Sequence, residues 1–545
     1  MAVQWQGTDI FLTVRDLIPA SNTAQPILST FPLPKRGALG RAAQTRLQAS
    51  QKSDPKTIFH TEYRVDDHFK HGVYTFHVSG RIDGALFLND RVEIEEIKSV
   101  VLKSTEFGRI SPDKFPEYNA QLQFYAYLLQ RELNGLEVST YLVLVNLINN
   151  AVKRVSMNYN QQKVEKLLSV RFDEICLQKE QADQLLKQRR QDLSESFFSL
   201  KEHRPQQLQM IDKIHDVVKH GQNLLVSAPT GTGKTAAALF PAIRFAYLHG
   251  KKVFFVTSKN TQQELAMETV KGAIERGLNM NVVQIRASQK MCANEIYFCH
   301  ESYCPFAKDF KKRKQKSDIL EQLSAIKVLK PETIFAYAAA EMLCPAEINI
   351  DVALEADIVI GDYNYVFDPL VQLRRLFNRT AFDDWIVIID EAHNLAERGR
   401  GYLSAEITHN EIRELLKAQK RGNLNKALKK IDAQFRLFEQ DGKVYHEDER
   451  YYKTDLSVSV WKDLLFLYES AYIDYLMKKV RTNTILPNDP AERFYFRLRR
   501  FVQILKIIDK SYAQFYDASG VIKIENLDPS NHIGRTIKQF HKSIA

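Results

Sequence analysis

The stretch "GQNLLVSAPTGTGKTAAALFPAIRFAYLHG" (221–250) decides the fold class. An apolar run, Leu224 to Val226, enters a glycine-rich turn and leaves it with Ala-rich helical spacing that ends at Gly250. That order reads as strand, loop, helix. Within it "APTGTGKT" (228–235) sets Gly231 and Gly233 where backbone amides must approach phosphate oxygens closely, with Thr230 and Thr232 between and beside them. Lys234 would neutralise the β and γ oxygens of a bound nucleotide, and the Thr235 hydroxyl would hold Mg²⁺. An ordinary glycine-rich turn is the alternative. Strand, helix, lysine and threonine all in register favour ATP.

A second stretch supports the first. "DDWIVIIDEAHNLAERG" (383–399) runs an apolar strand, Ile386 to Ile389, into Asp390-Glu391-Ala392-His393. Hydrolysis of Mg-ATP needs an acid pair at a strand end: Asp390 binds Mg²⁺ directly or through water, and Glu391 polarises the attacking water. His393 would link hydrolysis to movement of the chain. Such a tetrapeptide alone is weak; after the phosphate loop, in this order, it is strong. Ala228, standing where many nucleotide hydrolases have glycine, is similar to helicases of superfamily 2. "RPQQ" (204–207) resembles their adenine-reading Q motif, with Gln207 as the hydrogen-bonding residue. "KKVFFVTSKNTQQE" (251–264) reads as a second parallel strand ending in Thr and Gln side chains suited to a phosphate backbone.

The whole chain fits this direction. At 545 residues, 44% hydrophobic and 26% charged, it is long enough for about three or four domains. A formal charge of +10 favours polyanion partners. The start "MAVQWQGTDIFLTVRD" lacks a basic segment followed by an apolar run, and no stretch reaches the roughly 18 apolar residues of a membrane span. A cytoplasmic protein without a membrane partner is the expectation. With five cysteines in so long a chain, metal binding, catalysis or burial are better explanations than a disulfide framework.

Three of those cysteines crowd into "MCANEIYFCHESYCPF" (291–306) and a fourth opens "CPAE" at 344. Cys292, Cys299, Cys304 and Cys344 suit one metal site, but lack the paired C-x-x-C of zinc ribbons. Zinc, an iron-sulfur cluster and simple packing all remain open on ligand type alone. "SQKMCAN", "CPAE", "EADIVIGDYNYVFDP" (355–369) and the acid pair follow in the order seen in the XPD and DinG helicases. That resemblance implies a [4Fe-4S] cluster on the four thiolates. The outer two cysteines match well, whereas the inner spacings differ and a Lys-rich insertion, "FKKRKQKSDILEQLSAIK", precedes Cys344. Cys176 falls outside the set and reads as a packing residue.

The first third carries another chemistry. "FHVSGRIDGALFLNDRVEIEEIKSV" (76–100) reads as two strands joined at Asn89-Asp90. Glu96 and Lys98, two apart, share a face and point toward Asp83 if the strands pair. Two carboxylates and a lysine resemble the D…ExK core of PD-(D/E)xK nucleases. There Asp83 and Glu96 would hold Mg²⁺ or Mn²⁺, and Lys98 would orient water or steady the phosphate. "PEYNAQLQFYAYLLQRE" (116–132) is a helix with Gln121 and Tyr125 on one face, which resembles the QxxxY motif of the RecB branch. The helical histidine often found before the core is replaced by Gln44. A strand, "STYLVLVNL", and a helix over about 158–195 complete the domain. A domain that only docks DNA is the alternative.

The expectation is an α/β chain: a RecA-like parallel-sheet motor domain with iron-sulfur and helical Arch insertions, preceded by an α/β restriction-endonuclease-like domain. The boundaries are 1–195 (nuclease), 196–286 and 347–400 (motor domain 1), 287–346 (iron-sulfur), 401–525 (helical Arch) and 526–545 (return to motor domain 1). The resemblance implies 5′ to 3′ movement of a monomer on single-stranded or forked DNA, in DNA repair. "IKIENLDPSNHIGRTIKQFHKSIA" resembles the return from the Arch just before the family's S-A-T motif, so the chain reads as a fragment lacking motor domain 2 and its arginine fingers. Whether the Lys- and Tyr-rich Arch touches DNA or is a solvated face is open. A zinc-stapled adaptor that binds ATP as a switch is the non-enzymatic alternative.

Overall fold

Apolar residues fix three sheets among the described residues, one mixed, one wholly parallel and one small and antiparallel. A computed structural model describes residues 3–18, 58–100, 107–110, 115–146, 151–199, 204–229, 231–295, 297, 299, 303–379, 382–445, 451–482, 484, 489–517 and 519–545. Gln44 and Thr230 lie outside the described residues. The chain divides into two compact units, 1–187 with 378–381, and 188–377 with 382–545.

The first unit is built on β1 (Gln4–Gln6), β2 (Asp9–Thr13), β3 (Ile58–His71), β4 (Tyr74–Phe87), β5 (Arg91–Val100), β6 (Glu137–Asn146) and β7 (Val152–Met157). These form one sheet in the order β1-β2-β4-β5-β6-β7, with β3 also paired to β4. The turn at Asn89-Asp90 closes as expected, Leu88 N donating to Arg91 O at 2.9 Å. β5 and β6 run parallel, and the connection between them contains the helix Pro116–Glu132. Phe76, Ile82, Ile94 and Leu142 from the sheet meet Leu122, Leu129 and Val164 from two helices in one core. The second of these, Gln161–Gln191, stacks Phe172 on Phe76 with centroids 4.0 Å apart. Cys176 packs against the same core. Strands β1, β2, β3 and β7 were not expected; β3 and β7 alternate half-buried with exposed residues over mostly polar sequence, which carries little apolar signal.

The second unit holds β8 (Lys252–Val256), β9 (Val282–Gln284), β10 (Val328–Leu329), β11 (Ile358–Gly361) and β12 (Trp385–Ile389). With β17 (Lys542–Ile544) they form a sheet in the order β10-β9-β11-β8-β12-β17, parallel throughout. Its strands are continuous apolar runs because helices cover both faces, and Phe254, Phe255, Ile360 and Ile386 are essentially inaccessible. The expected strand at Leu224–Val226 is reduced to one bridge, Leu224 with Ile544. Val226 N still donates to Ala545 O at 2.7 Å and Ala545 N to Leu224 O at 2.9 Å. Residues 542–545 therefore slot between the strand of the acid pair and the segment that enters the phosphate loop.

Between these, residues 405–526 depart from the all-helical expectation. Helices His409–Ala418, Asn423–Tyr445, Val458–Thr482 and Pro490–Leu505 are joined by an antiparallel sheet. It comprises β13 (Ala405–Thr408), β14 (Tyr451–Lys453), β15 (Tyr512–Asp517) and β16 (Val521–Asn526), in the order β13-β16-β15-β14. β16 alternates half-buried and buried along "VIKIEN", with Ile522 and Ile524 turned into the core.

Candidate active sites

The phosphate loop is shaped by two glycines. Gly231 and Gly233 have φ of +79° and +78°, a region that costs other residues about 1–2 kcal/mol. The helix Lys234–His249 starts directly from Gly233, so its first amides face the loop without intrahelical partners. A Cβ on Gly233 would lie 2.3 Å from Gln207 Nε2. Gln207, buried, donates instead to the Gly233 carbonyl at 3.1 Å. Arg204 donates to the Gly231 carbonyl, and the Thr232 hydroxyl to the Pro229 carbonyl at 2.9 Å. Lys234 Nζ donates to Ala228 O at 3.2 Å. Thr235 is buried in the first turn of the helix. Loop and lysine thus form a closed cradle whose polar groups are held by the loop's own carbonyls.

β12 delivers the acid pair to this cradle. Asp390 N continues the ladder by donating to Val256 O at 2.9 Å. Burial and the neighbouring Glu391 raise the Asp390 pKa, while the Thr257 hydroxyl and the Lys234 charge work against that rise. The loop lysine and the strand-end carboxylate are therefore within electrostatic reach of each other. Asp390 Oδ2 is buried and accepts no hydrogen bond. Glu391 has φ +54°, a left-handed conformation, and its carboxylate lies 3.4 Å from Nδ1 of the exposed His393.

Two residues of this site were not anticipated. The buried Tyr363 donates its hydroxyl to the Asp390 carbonyl, and Thr257 supports the Asp390 side chain. Instead of ending a strand that grips phosphate, Thr257 is fully inaccessible and turned toward Asp390. Gln263 from the same stretch is also buried, accepting from Gln284 Nε2 at 3.2 Å. An apolar strand followed by a small hydroxyl residue beside a second apolar strand ending in Asp is the signal that would have found Thr257.

Family profiles fall on these elements. The DEAD/DEAH box helicase family matches residues 204–304, and the DEAD_2 family matches residues 256–412. Residues 204–412 are a DEAD/DEAH-type helicase domain. The chain is 24% identical over 313 residues to the ATP-dependent DNA helicase YoaA of Haemophilus influenzae, covering 51% of this chain and 48% of that protein. It is 22% identical over 269 residues to the ATP-dependent DNA helicase XPD of Sulfolobus acidocaldarius, covering 48% and 44%. A solved XPD helicase aligns with a TM-score of 0.44 at 18% identity, covering 64% of this chain and 58% of the other. The chain spans less than half the length of these two curated relatives.

The cysteines sit inside the matched region. Cys304 is buried; Cys292, Cys299 and Cys344 are half-buried. Burial pushes the Cys344 thiol up to about 12, with contributions from Glu347 and Cys299. Burial also raises Cys292, with a smaller contribution from Cys304. Tyr297, itself raised by burial, feels Cys299, Cys292 and Cys344 together. The four thiols thus share one neighbourhood in the helicase domain. Among the described residues, however, no three His, Cys, Asp or Glu side chains are close enough to hold a single ion.

Outside the helicase domain, the first unit assembles its own constellation. β4 and β5 pair from Gly84 with Glu95 to Phe87 with Val92, so one more step sets Asp83 opposite Glu96. Asp83 Oδ2 accepts from Ile97 N at 2.8 Å and lies 3.5 Å from Lys98 Nζ. Lys98 also forms an ion pair with Glu96. Glu96 is 1% exposed, and despite that ion pair neither carboxylate oxygen accepts a hydrogen bond of ordinary geometry. Burial, opposed by Lys98 and reinforced by Asp83, raises its pKa to about 7. Burial works against the Lys98 ammonium, but Glu96 and Asp83 hold its pKa above the ordinary value. Gln121 Nε2 donates to Tyr125 Oη at 3.0 Å, and Tyr125 feels both Glu96 and Asp83. Tyr118, not anticipated, lies under the Lys98 ammonium at 5.3 Å from its ring centroid.

Proposed function

We propose that this chain carries the motor site of an ATP-dependent DNA helicase of the XPD type, fused to a metal-dependent DNA nuclease. The observation that carries the motor reading is that Asp390, whose Oδ2 is buried without a hydrogen-bond partner, lies within electrostatic reach of the loop lysine Lys234. Thr235 and Asp390 are the residues that would hold the Mg²⁺ accompanying ATP, which supplies charge neutralisation at the β- and γ-phosphates. Lys234 leaves the Ala228 carbonyl for the phosphate oxygens, and the free amides of the helix Lys234–His249 line the same anion. Glu391 orients water, and His393, paired with it, relays the change. Gln207, tied to Gly233, reads adenine from the rim of the loop.

In this reading the protein moves 5′ to 3′ on single-stranded or forked DNA as a cytoplasmic monomer in DNA repair. Cys292, Cys299, Cys304 and Cys344 hold a [4Fe-4S] cluster; the neighbourhood that three of them share around Tyr297, with Cys304 acting on Cys292, supports this. The insertion at 405–526 takes the place of the Arch, with a small sheet added to its helices. Titration of the 545-residue chain with a fluorescent ATP analogue tests the motor site: binding that strengthens with Mg²⁺, and loses that Mg²⁺ dependence in Asp390→Asn, supports it. Absence of binding overturns it. Anaerobic purification followed by iron and sulfide analysis tests the cluster, since a zinc-stapled adaptor would be colourless and free of sulfide.

For the first unit, the buried carboxylate of Glu96, ion-paired with Lys98 beside Asp83, favours nuclease over simple DNA docking. Asp83 and Glu96 would hold Mg²⁺ or Mn²⁺, which supplies Lewis-acid polarisation of the scissile phosphate. Lys98 orients the attacking water, and Tyr125 and Gln121 keep the wall of the site in place.

A further inference from the structure

We infer that Arg500 is a positioning residue that ties the acid pair of the helicase domain to the helical insertion, so that nucleotide occupancy is passed to the helix Pro490–Leu505. The inference rests on the nucleotide site proposed above. Two routes leave Asp390. One is the chain itself, through Glu391 and a short turn into the helix Leu395–Leu403 and then Ser404. The other starts at the hydrogen bond from Tyr363 to the Asp390 carbonyl, and continues through the helix Asn364–Phe367 to Asp368 at its end.

Both routes end on one guanidinium. Arg500 Nη2 donates to Gly401 O at 2.9 Å and to Tyr402 O at 2.8 Å, and Nε donates to Ser404 O at 3.3 Å. Gly401 O and Tyr402 O are terminal carbonyls of the helix that begins beside the acid pair, and Ser404 is its C-cap. Nη1 lies 3.4 Å from Oδ2 of Asp368, which is 4% exposed. A planar fork with five donors can serve all four acceptors at once; an ammonium cannot. Glu391, at φ +54°, is the strained joint between Asp390 and that helix, so a change in its conformation swings the helix against Arg500.

The test is hydrogen–deuterium exchange on the 545-residue chain, with and without a non-hydrolysable ATP analogue and Mg²⁺. In the wild type, nucleotide changes exchange in Lys234–His249 and, by about fivefold or more, in Pro490–Leu505. In Arg500→Lys the response of Pro490–Leu505 is lost while that of Lys234–His249 persists. A purely structural arginine would instead shift exchange in Pro490–Leu505 equally with and without nucleotide, and that outcome overturns the inference. Asp368→Asn, which keeps the three carbonyl bonds, gives a reduced response; should Arg500→Lys fail to fold, a wild-type response in Asp368→Asn overturns the proposal. Silence at Pro490–Leu505 in the wild type overturns it too. Silence at Lys234–His249 is a different failure, because it removes the nucleotide site itself.

Discussion

The helicase domain and the N-terminal sheet each set a lysine near a buried carboxylate, and they do so by opposite means. In the helicase domain Lys234 belongs to a contiguous loop, bonds to a loop carbonyl, and comes within electrostatic reach of Asp390 across the segment 542–545 that lies between the two stretches carrying them. In the N-terminal unit Lys98 lies two residues from Glu96 on the same strand and pairs with it directly. The first site keeps its cation available to an anionic ligand. The second keeps its cation committed to a buried carboxylate on its own strand. Substitution should separate the two designs.

The largest effect is expected at Lys98. Its removal takes away the ion-pair partner of Glu96, and Lys98→Ala should lower Mn²⁺-dependent cleavage of DNA by about 10²–10³-fold in a gel assay. Absence of cleavage by both proteins would make the domain a docking module. Lys234→Ala comes next, because a charged hydrogen bond to phosphate is worth about 2–3 kcal/mol; nucleotide affinity should fall roughly 10²-fold by fluorescence titration.

Three further tests sharpen the contrast. Gly80 carries Tyr125 so closely that an added Cβ would sit 2.5 Å from Cε1, so Gly80→Ala should cost about 1–3 kcal/mol, measured by denaturant unfolding of the chain. Because Glu96 is raised to about 7, folding favours its protonated form, and that contribution to stability is present below the ordinary carboxylate range and lost as pH rises toward about 7. Metal binding has the opposite sign. Mn²⁺ affinity of the first unit should fall about tenfold per unit as pH drops below about 7, read by calorimetry, and Glu96→Gln should abolish that dependence. The smallest effect is Tyr363→Phe, which removes one hydrogen bond to the Asp390 carbonyl and should cost about 1 kcal/mol in unfolding free energy.

Legibility followed the same division. The phosphate loop, its helix and the acid pair are local patterns: glycines that need positive φ, then a lysine, then apolar runs long enough to be strands. The D…ExK pairing was legible because a two-residue turn fixes the register of adjacent strands, and register puts Asp83 opposite Glu96. Thr257 and Tyr363 were not, because their roles arise only when β8, β11 and β12 come together. The sheet inside 405–526 left a trace in "VIKIEN", but long helical segments on both sides outweighed four short strands. β3 and β7 were missed because most of their residues are polar and half-exposed.

Sequence alone therefore determined the chemistry available: which backbone positions admit a phosphate, which carboxylates can take a cation, and where four thiols lie along the chain. These follow from residue type and spacing over short distances. Only the tertiary structure decided what shares a site. Residues 542–544 complete the sheet beside the strand of the acid pair, Tyr363 reaches Asp390, and Arg500 gathers two routes from it. Such meetings join residues tens to hundreds of positions apart, and burial of apolar surface, which has no directional code in the chain, is what selects them.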